Sequence, residues 1–369
     1  MPVNGSDGTP RSTLIAKGLF WNTLYQVFQV FVSFAAMLVL VRIIPVAEYG
    51  HAGVVLGWLT LLNTLNCGVF MAQALQEPSD VQPNWSLHWS AGFYLQTFLS
   101  LLGHSVAIAC AFIPAYRPLA PLMHIAAVGL LLDWPSQLAV VMLQRDLNFR
   151  RLRIVLTCSM LLKLGTTISL GVAGYGAAAI IWGSHVTSTL PPTIDLLLIR
   201  CWRPQPGWWR WPHWRAYQQA WQFGLLQVSA GSLYAVRRAV EATALPGLLG
   251  FTALGLLERA QALFSTTVGR VGGILIETVY PLLPRSAADE QQYRRQAMTF
   301  AQITLLMMIP GALFLGIEGP SLSRLLYGEK WHAADSLLWP GAVCGLGTVM
   351  FSLSISVLEA ASRLRTSLF

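Results

Sequence analysis

Apolar residues occur in long successive blocks, and short stretches rich in polar residues, Pro or Gly separate these blocks. Each block is about 20 to 27 residues long, the length that an α-helix needs to cross the hydrocarbon core of a bilayer. The expected fold is therefore all-α, a polytopic membrane helix bundle of about ten transmembrane helices. The predicted spans are 20–44, 49–74, 89–113, 119–143, 153–172, 175–199, 217–240, 257–283, 297–317 and 336–358.

The composition agrees with a membrane domain. Hydrophobic residues make up 54% of the 369 positions and charged residues only 11%, whereas charged residues supply about a quarter of an ordinary soluble domain. The five cysteines form no CxxC pair and the seven histidines are dispersed, so neither a disulfide framework nor a metal site is expected. No cofactor is predicted.

The polar segments between the apolar blocks suggest four regions. Residues 1–19 are expected to be a cytoplasmic N-terminal tail. Its start, Met1 to Arg11, is polar and lacks the features of a secretory signal, so the first apolar block is expected to stay in the mature protein. Residues 20–199 form a first six-helix lobe, and 200–216 a Trp/Arg-rich inner linker. Residues 217–369 form a second, incomplete lobe of about four helices.

The basic residues predict the orientation. With the N-terminus in the cytoplasm, 15 of the 24 Lys and Arg residues fall in inner segments and six in outer ones. This excess is what the positive-inside rule describes. The net charge of +8 then follows from topology, and no nucleic-acid partner is needed to explain it.

The motifs of several enzyme classes are missing. The chain has no GxxxxGK[ST] phosphate loop, no HExxH and no GxSxG, so the usual signatures of ATP hydrolysis, zinc hydrolysis and acyl transfer are absent from the sequence. Every segment between spans is shorter than about twenty residues, which leaves no large polar loop for sugar chemistry. The sequence does not predict an enzyme.

Charged residues inside the predicted spans are the candidates for function, because such residues normally face the bundle interior or a water-filled cavity. Lys163 lies in the middle of the fifth span. In the eighth span Arg259, Arg270 and Glu277 are eleven and seven residues apart, which places them on one face of a continuous helix over about 27 Å. The structural alternatives are an Arg270–Glu277 pair, Arg259 at lipid head groups, and Lys163 snorkelling or meeting Asp133.

Other polar residues have two interpretations as well. Asp133, His104 and His185 lie within spans and either relay protons or are satisfied packing residues. Arg237, Arg238 and Glu241 lie near the outer end of the seventh span, where interfacial anchoring competes with a role in binding.

The inner linker is unusually aromatic. It reads CWRPQPGWWRWPHWR from Cys201 to Arg215. Trp and Arg in this pattern are typical of an interfacial belt, and they also suit anionic lipid head groups or a substrate diphosphate.

Several stretches resemble the oligosaccharide flippases, the polysaccharide-transporter branch of the superfamily that also holds the MATE drug exporters. The resemblance runs through KGLFWNTLYQ, VRIIPVAEYG, CGVFMAQALQ, LQRDLNFRRL, GYGAAAIIWG, YPLLPRSAAD and LLYGEKW, in the family's order. Members commonly have twelve or fourteen helices, so the resemblance implies a C-terminally truncated chain. Where the family often has an Asp before a Gly-containing turn, this sequence has Glu241 ahead of Gly247 and Gly250.

The resemblance implies a MATE-like architecture and alternating-access transport of polyprenyl-diphosphate-linked oligosaccharide units across the bacterial inner membrane, for O-antigen, capsule or exopolysaccharide assembly. The expected partners are the lipid-linked oligosaccharide, membrane lipids, and the polysaccharide polymerase and chain-length machinery. On this hypothesis Lys163, Arg259, Arg270, Arg237 and Arg238 bind the anionic cargo, while Glu241, Glu277 and Asp133 are the coupling residues. A MATE-type cation-coupled exporter and a membrane glycan polymerase or ligase are the alternatives.

Overall fold

The computed structural model describes residues 11–77, 81–279, 283 and 290–360, and within these ranges all regular secondary structure is helical. The prediction of an all-α bundle is confirmed. The α-helices are α1 (Arg11–Ile43), α2 (Val46–Asn63), α3 (Cys67–Met71), α4 (Trp85–Phe112), α5 (Ala120–Arg145), α6 (Phe149–Val172), α7 (Ala177–Ile181), α8 (Leu190–Ile194), α9 (Gln218–Leu249), α10 (Phe251–Thr266), α11 (Val268–Val279), α12 (Glu290–Tyr327) and α13 (Asp335–Ala360).

Seven helical segments in the described part of the chain are long and apolar enough to cross a membrane. They correspond to seven of the ten predicted spans, so the chain is a multi-pass membrane protein and the count of ten is approximate. The segments are Thr23–Ile43, Val46–Leu75, Trp85–Phe112, Arg117–Arg145, Phe149–Val172, Glu290–Tyr327 and Glu329–Ser354.

The predicted span 175–199 is helical but irregular. Between α7 and the end of the segment the backbone passes through a π-helical turn at Trp182–Val186, a 3₁₀ turn at Thr187–Thr189, α8, and a second π-helical turn at Asp195–Ile199. Pro191 and Pro192 have no N–H to give to the carbonyls four residues earlier. Hydroxyl groups also compete for the helix carbonyls, because Ser184 Oγ donates to Ile180 O at 2.6 Å and Ser188 Oγ to Ser184 O at 2.7 Å.

The predicted span 257–283 is interrupted. Helix α10 ends at Thr266, Thr267 adopts φ −106° and ψ −91°, and α11 begins at Val268. The hydroxyls of Thr266 and Thr267 both turn back to carbonyls of α10, Ala262 O and Leu263 O, each at 2.6 Å. The prediction of one uninterrupted stripe from Arg259 to Glu277 is therefore wrong, since Arg259 belongs to α10 and Arg270 to α11.

The described residues form two compact units. The first contains residues 11–44 and His51–Leu248, and the second contains Pro45–Gly50 and residues 249–360. Helix α9 thus groups by contact with the first unit, although the sequence analysis assigned 217–240 to the second lobe. The division into lobes joined by a linker at 200–216 stays a prediction.

The first unit has an aromatic core around α4 and α5. Trp89 and Trp134 are buried, with ring centroids 3.8 Å apart. Polar side chains between the two helices bond to backbone carbonyls, as in Gln96 Nε2 to Leu130 O at 3.1 Å and Ser100 Oγ to Ala127 O at 2.8 Å. Such bonds satisfy polar groups that hydrocarbon cannot solvate.

Helix α9 joins this unit through aromatic contacts. Trp221 stacks on Phe70 with a centroid distance of 4.7 Å and an interplanar angle of 7°. Nearer its other end, Thr243 Oγ1 accepts a hydrogen bond from Trp58 Nε1 at 2.8 Å. These contacts account for the grouping of α9 with α2 and α3.

The second unit packs α12 against α13 and α10. Trp339 of α13 lies directly on Gly316 of α12, where a Cβ atom would collide with the indole ring. Tyr327, Trp331 and Tyr49 are buried together, with Tyr49 and Trp331 centroids 5.5 Å apart. The start of α2 contributes Tyr49 to this cluster.

Candidate functional site

A polar cavity of about 540 Å³ lies within the first unit. Its size falls in the range of small-molecule sites. Three parts of the chain form it: the end of α2 with α3, the middle of α5, and the irregular segment 177–199. The lining residues are Asn63, Asn66, Gly68, Val69, Ala72, Gly129, Leu130, Asp133, Gln137, Ser184, His185, Ser188 and Thr189.

Asp133 is the carboxylate of the cavity, and three side chains donate hydrogen bonds to it. Ser136 Oγ lies 3.0 Å from Oδ1, Gln137 Nε2 lies 3.1 Å from Oδ2, and Asn66 Nδ2 also bonds Oδ2. Donors on both oxygens fix the orientation of the carboxyl group.

The orientation of Asn66 has a local cause. Asn66 is the N-cap of α3, and its Oδ1 accepts a hydrogen bond from the Gly68 N–H at 2.7 Å. Capping occupies the amide oxygen, so the amide nitrogen is the group that remains for Asp133. The start of a one-turn helix thereby positions a side chain of the cavity.

His185 enters the cavity from the π-helical turn Trp182–Val186. A Cβ atom at Gly129 would lie 2.6 Å from the His185 carbonyl oxygen, so the absence of a side chain lets α5 approach this turn closely. Wide helical turns of this kind are frequent at functional sites. The cavity wall therefore combines a titratable ring with an irregular backbone.

Lys163 lies beside this wall on α6. Gly183 of the π-helical turn sits so close to α6 that a Cβ there would be 2.7 Å from the Lys163 carbonyl oxygen. The Lys163 side chain is exposed. No ion pair joins it to Asp133 or to another carboxylate of the described residues.

Arg237, Arg238 and Glu241 form one cluster on α9. Glu241 Oε2 lies 3.0 Å from Arg237 Nη1 and 3.3 Å from Arg238 Nη1. Side-chain exposure is 49% for Arg237 but 13% for Arg238 and 12% for Glu241. The two predicted binding residues therefore meet the predicted coupling residue rather than the polar cavity.

Arg259 stacks on an aromatic ring within the second unit. Its guanidinium carbon is 4.2 Å from the centroid of Tyr49, and its Nε has no hydrogen-bond partner among the described residues. Arg270 is half-buried on α11. The side chain of Glu277 lies outside the described part of the structure, so the Arg270–Glu277 pair stays a prediction.

A separate ion network ties together the ends of α5, α6 and the segment 177–199. Asp195 is buried, with Oδ1 2.8 Å from Arg151 Nε and Oδ2 3.3 Å from Arg200 Nε, and Asp146 adds a 3.7 Å pair with Arg200. Burial lowers the pKa of Arg200, and the two carboxylates oppose this shift. Arg145 donates to the backbone carbonyls of Ala74, Glu77 and Val81. These arginines stabilise the fold.

Two groups of cavity residues escaped the sequence analysis. Asn66 lies near Asn63 and Thr64, and Gln137 lies one helical turn after Asp133, but nothing in the sequence indicates that the two groups meet. The run SHVTST, Ser184 to Thr189, was a visible signal, because four hydroxyl residues and a histidine within one span are an unusual concentration of polar groups. His104, the other histidine considered, lies apart from the cavity, with its Nδ1 2.8 Å from His124 Nδ1.

The helices and the polar site within them define a multi-pass membrane protein with an internal polar cavity, and comparisons with known proteins indicate its class. One structural relative is described as an inward-facing multidrug resistance MATE family transporter of the MOP superfamily. It has a TM-score of 0.62 at 10% identity, and the match covers 92% of this chain and 82% of that one. This likeness shows the MATE fold.

The family model for polysaccharide biosynthesis proteins matches residues 39–336, and the chain belongs to that family. A curated relative is the teichuronic acid biosynthesis protein TuaB of Bacillus subtilis, 22% identical over 149 residues. The match covers 40% of this chain and 31% of the relative. Family and fold point to a transporter rather than an enzyme, and the resemblance noted from the sequence is confirmed.

Proposed function

We propose that this protein transports polyprenyl-diphosphate-linked oligosaccharide units across the bacterial cytoplasmic membrane by alternating access, for cell-surface polysaccharide assembly, and carries out no enzymatic step. The family supplies the link to polysaccharides, and the MATE fold supplies the link to transport. The proposal places the N-terminus in the cytoplasm, following the distribution of basic residues. The polysaccharide polymerase and chain-length machinery are the proposed protein partners.

The observation that carries the proposal is the environment of Lys163. Its ammonium group lies in the middle of a 24-residue span, where an unpaired charge costs about 2.5–3.5 kcal/mol. The residue lies on α6 next to the π-helical turn that forms part of the cavity wall. Its ammonium group forms no ion pair with a carboxylate of the described residues. A cation held at this cost is suited to an anionic group that arrives transiently, and the diphosphate of a lipid-linked sugar is such a group.

Coupling is assigned to the cavity. Asp133 and His185 both line it, and together they offer a carboxylate and an imidazole for a proton or a small cation. The proposal gives these two residues the task of linking transport to an ion gradient. Arg259 and Arg270 remain proposed cargo-binding residues of the second unit, and Arg237 and Arg238 remain proposed cargo-binding residues of the first.

The test is transport in proteoliposomes. A fluorescent polyprenyl-diphosphate oligosaccharide is placed in both leaflets, and a membrane-impermeant reductant quenches the molecules it can reach. Wild-type protein should make the inner-leaflet pool accessible, and protein-free vesicles should not. The variant Lys163→Met should slow translocation at least about tenfold, which corresponds to about 1.4 kcal/mol, because its side chain has similar length but no charge.

Two controls sharpen the result. Lys163→Arg should retain most of the activity, because it keeps the positive charge. A glycolipid with a neutral head group should depend little on residue 163. Equal translocation by wild type and Lys163→Met, with both proteins monodisperse, would show that the ammonium group does not serve the cargo.

Asp133 favours a second candidate function, a MATE-type exporter of organic cations, because a carboxylate in a polar cavity suits a positively charged substrate. The same vesicles distinguish the two. Gradient-driven accumulation of an organic cation, lost in Asp133→Asn and unaffected in Lys163→Met, would favour the exporter. Translocation of the lipid-linked oligosaccharide that depends on Lys163 favours the flippase.

A further inference from the structure

The segment between the irregular helix 177–199 and α9 is a tryptophan strap, which we define as residues 202–215. It contains five tryptophans and three arginines, and neither Asp nor Glu occurs in it. Apart from one 3₁₀ turn at Pro206–Trp209, its backbone is irregular. Its conformation therefore depends on side-chain contacts with the helices beneath it.

Three of the five strap tryptophans pack against α4 and α5, and they are Trp202, Trp208 and Trp209. The ring of Trp202 lies 5.2 Å and that of Trp209 5.4 Å from Trp89, by centroid distance. Tyr94 Oη donates a hydrogen bond to Trp209 O at 3.0 Å. Just after the strap, the Tyr217 hydroxyl meets His88 Nδ1 at 3.2 Å. The strap is thus held along its length.

Several other side chains of the strap are exposed. Trp211 is 63% exposed and Trp214 38% exposed. The three exposed arginines form no ion pair with any described residue, and they are Arg203, Arg210 and Arg215. They differ in this respect from Arg151 and Arg200, whose guanidinium groups form ion pairs with Asp195.

The strap also lies near the start of a helix that is long and apolar enough to cross a membrane. It packs on Trp89, Phe93 and Tyr94, four to nine residues into α4, which begins at Trp85. At 1.5 Å per residue these contacts are about 6 to 14 Å from the end of a membrane-spanning helix. Exposed indole rings and guanidinium groups at that level match the head-group region of a bilayer.

From these observations we propose that the tryptophan strap binds the anionic head groups of phospholipids, with Trp211 and Trp214 at the interface and the three arginines on lipid phosphates. The charge is complementary, since the strap is purely basic and the guanidinium forks suit phosphate oxygens. A basic residue near an anionic membrane contributes about fivefold to binding. This surface is independent of the proposed cargo, so its test does not depend on transport.

The test uses tryptophan fluorescence of the protein in phosphatidylcholine vesicles with increasing fractions of brominated phosphatidylglycerol, because bromine quenches nearby indole rings. The wild type should reach half-maximal quenching at a low fraction of the anionic lipid. The variant R210Q/R215Q should require at least about fivefold more, and up to about 25-fold more if each arginine contributes fully. Added salt should weaken the wild-type response.

A matched variant controls for the loss of two charges. R294Q/R295Q removes two exposed arginines of α12 and should quench like the wild type. An unchanged midpoint in R210Q/R215Q, or an equal shift in both variants, would overturn the proposal. Release of the quenching by inorganic pyrophosphate would also overturn it, because the strap would then recognise a free diphosphate instead of the lipid surface.

Discussion

Asp133 illustrates how one charged side chain is accommodated within a membrane helix. Its carboxyl group accepts hydrogen bonds from Asn66, Ser136 and Gln137. The local structure fixes the orientation of each of these donors. Ser136 and Gln137 are three and four residues further along the same helix, where i+3 and i+4 side chains meet. Asn66 is fixed by its role as an N-cap.

Replacing Asp133 by Asn should destabilise the first unit. The amide offers one acceptor and two new donors to a position that already faces three donors, so at least one buried group loses its partner, at a cost of about 1–3 kcal/mol. Thermal unfolding in detergent should show a lower midpoint for Asp133→Asn than for Ser136→Ala, which removes only one donor. A midpoint equal to that of the wild type would show that the hydrogen bonds contribute little.

At the scale of helices, close approach between α5 and the segment 177–199 depends on a glycine, which has no side chain. Gly129 faces the backbone carbonyl of His185, and a Cβ would be 2.6 Å from that oxygen. Backbone atoms cannot rotate away as a flexible side chain can. The geometry of the π-helical turn is thus coupled to the identity of a residue on another helix.

Gly129→Ala should destabilise the protein by about 1–3 kcal/mol, the usual cost of overpacking. The matched control is Gly165→Ala on α6, where a Cβ would meet nothing within 4 Å. That substitution should stabilise the protein by up to about 1 kcal/mol, because Ala is the better helix former. Unfolding midpoints of the two variants should therefore shift in opposite directions, and a shared direction would contradict the packing argument.

The helices also show what the sequence could and could not predict. The spans predicted at 89–113 and 153–172 correspond to Trp85–Phe112 and Phe149–Val172, because predominantly apolar runs of this length form helices in lipid. Their true starts are set by Asn84 and Asn148, whose side chains cap the backbone N–H groups of Leu87 and Arg151. A span predicted from hydropathy alone does not locate these caps, so its first residue is misplaced by a few positions.

Two features were out of reach for sequence reasoning. The break at Thr267 depends on hydroxyl groups turning to carbonyls of their own helix, which a hydropathy pattern does not distinguish from a continuous span. The cavity brings together Asn66, Asp133 and His185 from three elements. Each residue alone is compatible with packing, and only their placement on a common surface makes them a site.

At the scale of the whole molecule, α9 belongs to the first unit through contacts of its own. Stacking with Phe70 and the hydrogen bond to Trp58 secure both halves of α9. Units with separate contacts are expected to open separately, since local stability follows local packing. The second unit relies on different aromatic contacts, such as Trp339 on Gly316.

Hydrogen exchange should reveal this division. Trp221→Ala removes an aromatic pair worth about 0.5–1.5 kcal/mol beyond its buried area, so exchange should accelerate in α9 and α3 and stay unchanged in α12 and α13. Trp339→Ala is the counterpart in the second unit and should accelerate exchange in α12 and α13 only. Acceleration throughout the chain by either variant would show that the two units unfold as one.

The π-helical turn at Trp182–Val186 has a further consequence for movement. Such a turn holds one residue more than an α-helical turn, and that surplus can migrate along the helix when neighbouring carbonyls change partners one at a time. Each step rotates the residue it passes by about 100°, so His185 would swing from the cavity wall toward α6 or back without bending the helix. Migration of the extra residue would thus move the His185 imidazole between two environments.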